Sequence, residues 1–236
     1  MNDVKPLVVI LARGGSKEIE NKNLEKINGK SLLEITVNQI TENLDVPIFV
    51  SSDSKQIIDV ATSIECSIIK RPEELCDDNS TSEEGISHAI NFIEDSHNLE
   101  FDTIVFPQLT SPLRKYTDFP FSLEHYTSNN FDSLFSSNEG NDINLWKKNK
   151  DNQLIEVNFE NDNRQFRQSR DTQLIENGSF YIFDKELYKK YKVRLFRNIG
   201  YFNLEPWQMF EIDTIEDLNL CREISKIKNV DGIYEQ

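Results

Sequence analysis

Between residues 6 and 106, short apolar runs alternate with stretches of helical period, and this alternation narrows the fold more than any other feature of the chain. Pro6 to Ala12 reads as a buried strand, Ser31 to Asn43 as a helix and Pro47 to Ser51 as a strand. Lys55 to Ile64 reads as a helix with Ile57, Ile58 and Ala61 turned inward. A short strand at Ser67 to Ile69, a long helix from Thr81 to Ser96 and a strand at Thr103 to Phe106 continue the rhythm. Strand and helix in regular turn imply parallel pairing through right-handed crossovers, hence an α/β fold. At 236 residues the chain can bury one such core and carry one small excursion.

The first strand leaves through Leu11-Ala12-Arg13-Gly14-Gly15-Ser16-Lys17 and runs by Lys22-Asn23 toward a helix. Small residues between a buried strand and a helix leave backbone N–H groups facing one anion, and the basic side chains add charge where phosphates sit. A glycine turn with solvated lysines is the plainer alternative. Two familiar phosphate loops do not fit. Lys17 is followed by Glu18 and has no glycine five positions before it, against the P-loop, and Gly14 and Gly15 are adjacent, against G-x-G-x-x-G.

Val105-Phe106-Pro107-Gln108-Leu109-Thr110-Ser111-Pro112-Leu113-Arg114 is an apolar strand ending in a polar turn. Ligands of open α/β sheets bind at such strand ends, and Gln108 and Thr110 offer uncharged donors and acceptors suited to sugar hydroxyls. A Ser-Pro turn that caps the next element accounts for the same residues. In Asp77-Asp78-Asn79-Ser80-Thr81-Ser82, the hydroxyls of residues 80–82 are good helix N-caps, and Glu83-Glu84 suit the positive first turn. In Phe210-Glu211-Ile212-Asp213-Thr214, alternation along a strand end puts Glu211 and Asp213 on one face, where two carboxylates can share a hard cation. Asp213 as an N-cap for the helix after it is the alternative.

Taken in order, these segments resemble the CMP-sialic acid synthetases (acylneuraminate cytidylyltransferases). The opening loop is similar to that family's A-R-x-G-S-K followed by K-N, and residues 105–114 to its L-L-Q-P-T-S-P-L-R. Lys70-Arg71-Pro72-Glu73-Glu74-Leu75 with the run at 77–82 looks like R-P-x-E-L-x-x-D-x-x-S-S. Glu176-Asn177-Gly178-Ser179-Phe180-Tyr181-Ile182-Phe183 is similar to the N-G-A-x-Y-I strand entrance, with Arg167-Gln168 ten residues before Asn177, and residues 210–214 to I-D-I-D-T.

The resemblance implies a Rossmann-like nucleotidyltransferase three-layer fold with a mostly parallel sheet. Residues 1–138 and 172–236 would form the core and 139–171 a protruding dimerisation arm. It also implies transfer of CMP from CTP to the anomeric hydroxyl of a nonulosonic 2-keto sugar acid, with pyrophosphate leaving and Mg2+ as cofactor. Arg13, Lys22 and Asp213 would be catalytic. Ala12, Arg13, Gly14, Gly15, Ser16, Lys22, Asn23, Arg71, Ser80 and Ser82 would bind the nucleotide. Gln108, Thr110, Ser111, Arg167 and Asn177 would hold the sugar acid, and Asp213 with Glu211 the metal. Neighbouring rivals are a CMP-Kdo synthetase, a sugar-1-phosphate nucleotidyltransferase, or a nucleotide-binding homologue without turnover.

Several positions depart from the family pattern. Glu18 and Glu20 put carboxylates beside a triphosphate, Glu211 stands where aspartate is usual, and Ile175 where some members carry arginine. Asn144-Leu145-Trp146 lacks a basic residue before the aromatic, so fewer cations surround the sugar and substrate choice shifts within the neuraminic, legionaminic and pseudaminic acids.

Composition agrees with this class. A net charge of −15 argues against nucleic acid and membrane surfaces as partners, both being polyanions. No apolar run approaches the roughly 20 residues that span a bilayer, and Met1-Asn2-Asp3-Val4-Lys5 lacks a signal-peptide layout. Cys66, Cys76 and Cys221 are too few and scattered for a disulfide framework or a zinc cluster, so a reduced, cytoplasmic protein is expected, with Cys76 a buried spectator. His88, His97 and His125 read as packing or solvent-facing residues. Between Asn138 and Asp171 polar residues dominate; a disordered linker fits, as does an arm in which Leu145-Trp146, Leu154 to Val157 and Phe159 pair as strands. Such strands lack the mass for a core of their own, so a homodimer is expected, with Trp146 and Phe159 as anchors.

Overall fold

In the computed structural model, which describes residues 4–15, 18–19, 21–77, 79–140, 143–164, 166, 169 and 171–234, the apolar run at Pro6–Leu11 forms strand β1. After the polar loop come a short hairpin, β2 (Lys26–Ile27) and β3 (Lys30–Ser31), and helix α1 (Leu32–Thr41). Then follow β4 (Ile48–Ser52), α2 (Lys55–Ser63), β5 (Ser67–Lys70), α3 (Ser82–Ser96) and β6 (Thr103–Pro107). The second half contains α4 (Asp118–Ser128), β7 (Ser133–Glu139), β8 (Trp146–Lys148), β9 (Leu154–Glu156), β10 (Leu174–Asp184), α5 (Lys185–Tyr191), β11 (Ile199–Asn203) and α6 (Ile215–Lys228).

Seven strands make one sheet in the order β11-β7-β10-β6-β1-β4-β5. β1 pairs parallel with β4 and β6, β4 with β5, and β7 with β11. The strands read between residues 6 and 106 pair in parallel as expected, while one later strand, β10, lies antiparallel to both β6 and β7. The physical reason is the connection. The chain leaves β7, makes its excursion and re-enters at the same end of the sheet, so no crossover helix turns it round.

Because strands buried on both faces need apolar side chains in both directions, Val8, Ile10, Val50 and Val105 feed one core and Leu7, Val9, Phe49, Ile104 and Phe106 the other. Leu33 and Val37 of α1 and Leu218 of α6 close the first layer, and Ile86, Ile90 and Ile93 of α3 close the second. The three layers and the mostly parallel sheet agree with the expected architecture. Element ends fall within two residues of those read from the sequence. On α2, Ile57 and Ala61 are buried but Ile58 is only half-buried, since three inward residues in five overfill one helical face.

Residues 143–159 leave the sheet as an antiparallel hairpin in which Trp146 pairs with Glu156 and Lys148 with Leu154. The Trp146 and Phe159 rings meet edge-on at 5.1 Å. Of the histidines read as packing or solvent-facing, two pack: His97 edge-on against Phe49 at 5.0 Å, and His125 against Phe131 at 5.4 Å.

Candidate functional site

Parallel strands end where their helices begin, and the C-terminal ends of β1, β5 and β6 open into a polar cleft of about 540 Å³. Arg13, Lys22 and Arg71 bring positive charge to it, Gln108 and Thr110 bring neutral polar groups, and Glu211 and Asp213 bring carboxylates. Four segments far apart in sequence thus meet in one place.

The first loop is held from behind. Ala12, buried, donates its N–H to the Ser51 carbonyl at 3.0 Å, and Asn23 donates its side-chain amide to the Arg13 carbonyl at 3.0 Å. The Gly14 N–H is not free for an anion, as the loop reading expected, but is donated to Asp53 Oδ1 at 2.9 Å. A Cβ at Gly14 would lie 2.8 Å from the Ser54 Cβ, so only glycine fits this crossing over the end of β4. Gly15 has open space around its Cα and does not line the cleft. Ser16, Lys17 and Glu20 lie outside the described residues, whereas Glu18 faces the cleft. Arg13 reaches across to the Asp77 carbonyl with Nη1 at 3.1 Å.

Arg71 is buried and fixed by the Ser51 hydroxyl (3.0 Å to Nε) and carbonyl (2.6 Å to Nη2). Burial lowers its pKa, with the Cys76 thiol and Asp53 beside it opposing that shift. Cys76 is half-buried rather than buried, and burial raises its pKa while Arg71 works against it. Its thiol is therefore protonated at neutral pH, in keeping with a spectator. Ser80 binds Asp77 Oδ1 through its N–H (2.8 Å) and hydroxyl (3.0 Å), while Thr81 rather than a serine caps α3. Ser82, the first residue of α3, lines the cleft next to that cap.

The opposite wall is built on β6. The Thr110 hydroxyl donates to Glu211 Oε1 at 2.8 Å, and the Ile212 N–H to the Thr110 carbonyl at 2.7 Å. Residues 211–213 are not strand, contrary to the sequence reading. One buried residue, Ile212, anchored by that single backbone bond, still throws its neighbours Glu211 and Asp213 into the same cleft. Thr214, not Asp213, caps the helix that follows. Lys22 Nζ donates to Asp213 Oδ1 at 3.0 Å and to the Ile212 carbonyl at 3.1 Å. The lysine side chain is 17 % exposed and the aspartate 71 %, so the cation is held by the fold and the carboxylate remains open to solvent.

Two expected sugar contacts sit behind the wall instead of in it. Ser111 is buried and Asn177 nearly so; Asn177 donates to Asn138 Oδ1 at 2.6 Å and accepts from the Ser136 hydroxyl at 2.6 Å. The Asn177-Gly178 pair lies inside β10 at a register shift, not at a strand entrance. Gly178 takes φ +70°, which a bulge allows to glycine, and a Cβ there would stand 3.5 Å from Gln108 Nε2 and 3.6 Å from Glu211 Oε2. This turn is the floor on which Gln108 and Glu211 rest. Arg167 lies outside the described residues.

Arg114, the last residue of the motif at 105–114, is central although the sequence assigns it no role. It is fully buried and bonds to Ser179 Oγ (2.8 Å), the Ser179 carbonyl (3.0 Å), Gln39 Oε1 (3.1 Å) and the Gln108 carbonyl. Burial brings its pKa down to about 9, which still leaves it charged at neutral pH. It ties the Gln108 turn to β10. An arginine closing the otherwise apolar run Pro112-Leu113 was the available signal.

Glu211 and Asp213 are hard oxygen donors of the kind Mg2+ prefers, and a cation, the Lys22 ammonium, already rests on one of them. The donor set fits a divalent ion that takes its remaining ligands from phosphates and water. Among the described residues no group of three or more His, Cys, Asp or Glu side chains is gathered for a metal, and no helix is long and apolar enough to cross a membrane.

Comparison with known proteins matches residues 7–236 to a family described as Cytidylyltransferase. N-acylneuraminate cytidylyltransferase of Streptococcus agalactiae is 34% identical over 139 residues, 58% of this chain and 32% of that protein, so the match spans about a third of that relative. Over nearly full length on both sides, the chain is 27% identical to Post-translational flagellin modification protein B of Campylobacter coli (95% and 96% covered). It is 26% identical to pseudaminic acid cytidylyltransferase of Campylobacter jejuni (96% and 98%). Among solved structures, a CMP:2-keto-3-deoxy-manno-octonic acid synthetase complexed with CTP superposes with a TM-score of 0.69 at 14% identity, covering 95% of this chain and 99% of that one. A 4-diphosphocytidyl-2C-methyl-D-erythritol synthase gives 0.67 at 13%, covering 94% and 99%. With the motifs in order, a sheet of this topology and a family match from Leu7 to the last residue, the chain belongs to the cytidylyltransferase family, that of the CMP-sialic acid synthetases.

Proposed function

We propose that the protein transfers CMP from CTP to a nonulosonic acid, releasing pyrophosphate. The observation that carries this reading is the meeting of the cationic side chains Arg13, Lys22 and Arg71, the carboxylates of Glu211 and Asp213 and the uncharged pair Gln108 and Thr110 in one cleft at the strand ends. Nucleotidyl transfer asks a protein chiefly for positioning and for neutralisation of charge that shifts between phosphates. Arg13 and Lys22 hold the triphosphate. Arg71, Asn23, Ser80 and Ser82 hold the nucleoside end, and the Ala12–Gly15 turn shapes the floor beneath it. Gln108 and Thr110 orient the sugar acid so that its anomeric hydroxyl faces the α-phosphate, with Arg167 on the arm as a further contact. Ser111 and Asn177 act from behind, through the packing of the Gln108 turn and of Gly178.

Asp213 and Glu211 would hold Mg2+, which supplies charge neutralisation at the phosphates. Glu211 keeps a fixed direction through its bond from Thr110, and Lys22 stands beside Asp213 on the phosphate side. The excursion of residues 139–171 is the dimerisation arm of a cytoplasmic homodimer on this reading. Its supports are the exposed apolar side chains Leu145, Trp146, Leu154 and Val157.

On this reading the acceptor is a sialic-type acid rather than Kdo, since Gln108-Leu109-Thr110-Ser111-Pro112 at the end of β6 resembles the turn of the CMP-sialic acid synthetases. Pyrophosphate release from CTP and magnesium is measured with N-acetylneuraminic, legionaminic, pseudaminic and Kdo acids and with sugar 1-phosphates. Release with one nonulosonic acid is expected. Release only with Kdo or a sugar phosphate rejects the acceptor class, and binding of CTP with silence across the panel rejects turnover.

A further inference from the structure

Phe106 and Gln108 stand two residues apart at the end of β6, so their side chains leave the sheet on the same face, about 7 Å apart along the strand. Gln108 lines the cleft, and Phe106 lies one step beneath it, stacked on Tyr181 of β10 with ring centroids 6.3 Å apart. Arg194, in the segment between α5 and β11, covers this pair. Its guanidinium carbon is 4.5 Å from the Tyr181 ring centre and 5.8 Å from that of Phe106.

Three contacts fix the plane of that guanidinium. Two are the rings, and the third is the bond from Nε to Glu83 Oε1 at 2.9 Å. Glu83 immediately follows Ser82 of the cleft wall, and its backbone carbonyl accepts from the Tyr188 hydroxyl at 2.7 Å, so the partner is held as well. Among the described residues, Nη1 and Nη2 have no hydrogen-bond acceptor, although the side chain is only 24 % exposed. A half-buried arginine with Nε engaged, its plane clamped and its terminal fork open is preorganised for an oxygen acceptor. Tyr181 adds a direction to this: its hydroxyl donates to Glu176 Oε1 at 2.5 Å, two residues before the Gly178 floor on which Gln108 and Glu211 rest.

We propose that Arg194 is a specificity-determining residue whose Nη fork binds an oxygen acceptor of the sugar acid, either its carboxylate or the carbonyl of an acylamino substituent. The inference rests on the reading of the cleft as a nonulosonic acid cytidylyltransferase site. Arg194 does not itself line the cleft; on this proposal its fork reaches in beneath Gln108, on the acceptor side, whereas the lining cations Arg13, Lys22 and Arg71 serve the nucleotide side. This arrangement also gives a reason for Ile175: with a cation supplied from the segment after α5, none is needed two residues before Asn177.

The test compares Arg194→Met, which keeps the stem on the rings, Arg194→Lys, which keeps the charge but not the fork, and Glu83→Gln, which removes the charge of the partner. With the best nonulosonic acid, Arg194→Met raises the KM for that acid tenfold or more and leaves the KM for CTP within twofold. Arg194→Lys falls between, and Glu83→Gln stays within about threefold of the unaltered protein. Two further substrates locate the acceptor, the C1 methyl ester and the de-N-acylated acid. The unaltered protein discriminates against the one that lacks the group Arg194 binds, and Arg194→Met loses that discrimination. An unchanged KM for the acid in Arg194→Met overturns the proposal. So does an equal rise for acid and CTP, or an equal effect of Glu83→Gln, each of which marks a merely structural ion pair. Silence of the unaltered protein with every acid overturns the parent reading, and this one with it.

Discussion

At the residue scale, the most consequential contact is the one between Lys22 and Asp213. The ammonium occupies the carboxylate through which a divalent ion would be bound; on the proposed reading metal and lysine would compete for Asp213 until phosphates drew the lysine away. Lys22→Met should therefore tighten Mn2+ binding to the nucleotide-free protein by about three- to tenfold, the modest size expected of an ion pair whose acid is largely solvated. Electron paramagnetic titration of free Mn2+ reads this directly, and unchanged or weaker binding would refute the competition. Arg13, Lys22, Arg71, Gln108 and Asp213 were legible in the sequence because each carries its chemistry in its side chain and stands in an ordered motif. The buried settings of Ser111, Asn177 and Arg114 were not legible, for a common reason. Polar residues beside a site look alike in sequence whether they face the ligand or hold the wall, and only burial separates the two.

At the element scale, the helices around the cleft begin with the same device. Ser31, Thr81 and Thr214 cap α1, α3 and α6, and each is answered three residues on by Glu34, Glu84 or Asp217. Burial opposes ionisation of Glu34, yet the Ser31 hydroxyl and N–H hold it below its ordinary value of 4.5. The Thr81 N–H and hydroxyl do the same for Glu84, and those of Thr214 hold Asp217 below 3.8. A carboxyl with a lowered folded pKa leaves the unfolded chain binding more protons, so its contribution is full above the ordinary value and is lost as pH falls through the folded one. Denaturant unfolding between pH 6 and pH 3 should show stability falling below about 4.5, more gently in the Glu34→Gln, Glu84→Gln, Asp217→Asn variant; parallel acid limbs would contradict this. Ser31→Ala should cost about 1 kcal/mol at neutral pH. These helices and the parallel strands were readable because period and caps are local. The reversal of β10 was not, since direction depends on where a chain re-enters the sheet, which no local pattern records.

At the scale of the whole molecule, the hairpin of β8 and β9 stands apart from both cores, with Leu154 63 % and Val157 53 % exposed. On the proposed reading a second copy covers these side chains. The full chain should sediment as a dimer at micromolar concentration, and a variant with residues 141–171 replaced by a short glycine-serine link as a folded monomer with unchanged far-ultraviolet circular dichroism. A dimer that survives the deletion would move the interface elsewhere. The reversal of β10 bears on this arm as well. β7 ends at Glu139, β10 begins at Leu174 opposite it, and Gly178 follows four residues later. The arm is thus a bridle fastened by both straps to the lip of the cleft, and whatever grasps it also pulls on the seat of Gln108 and Glu211.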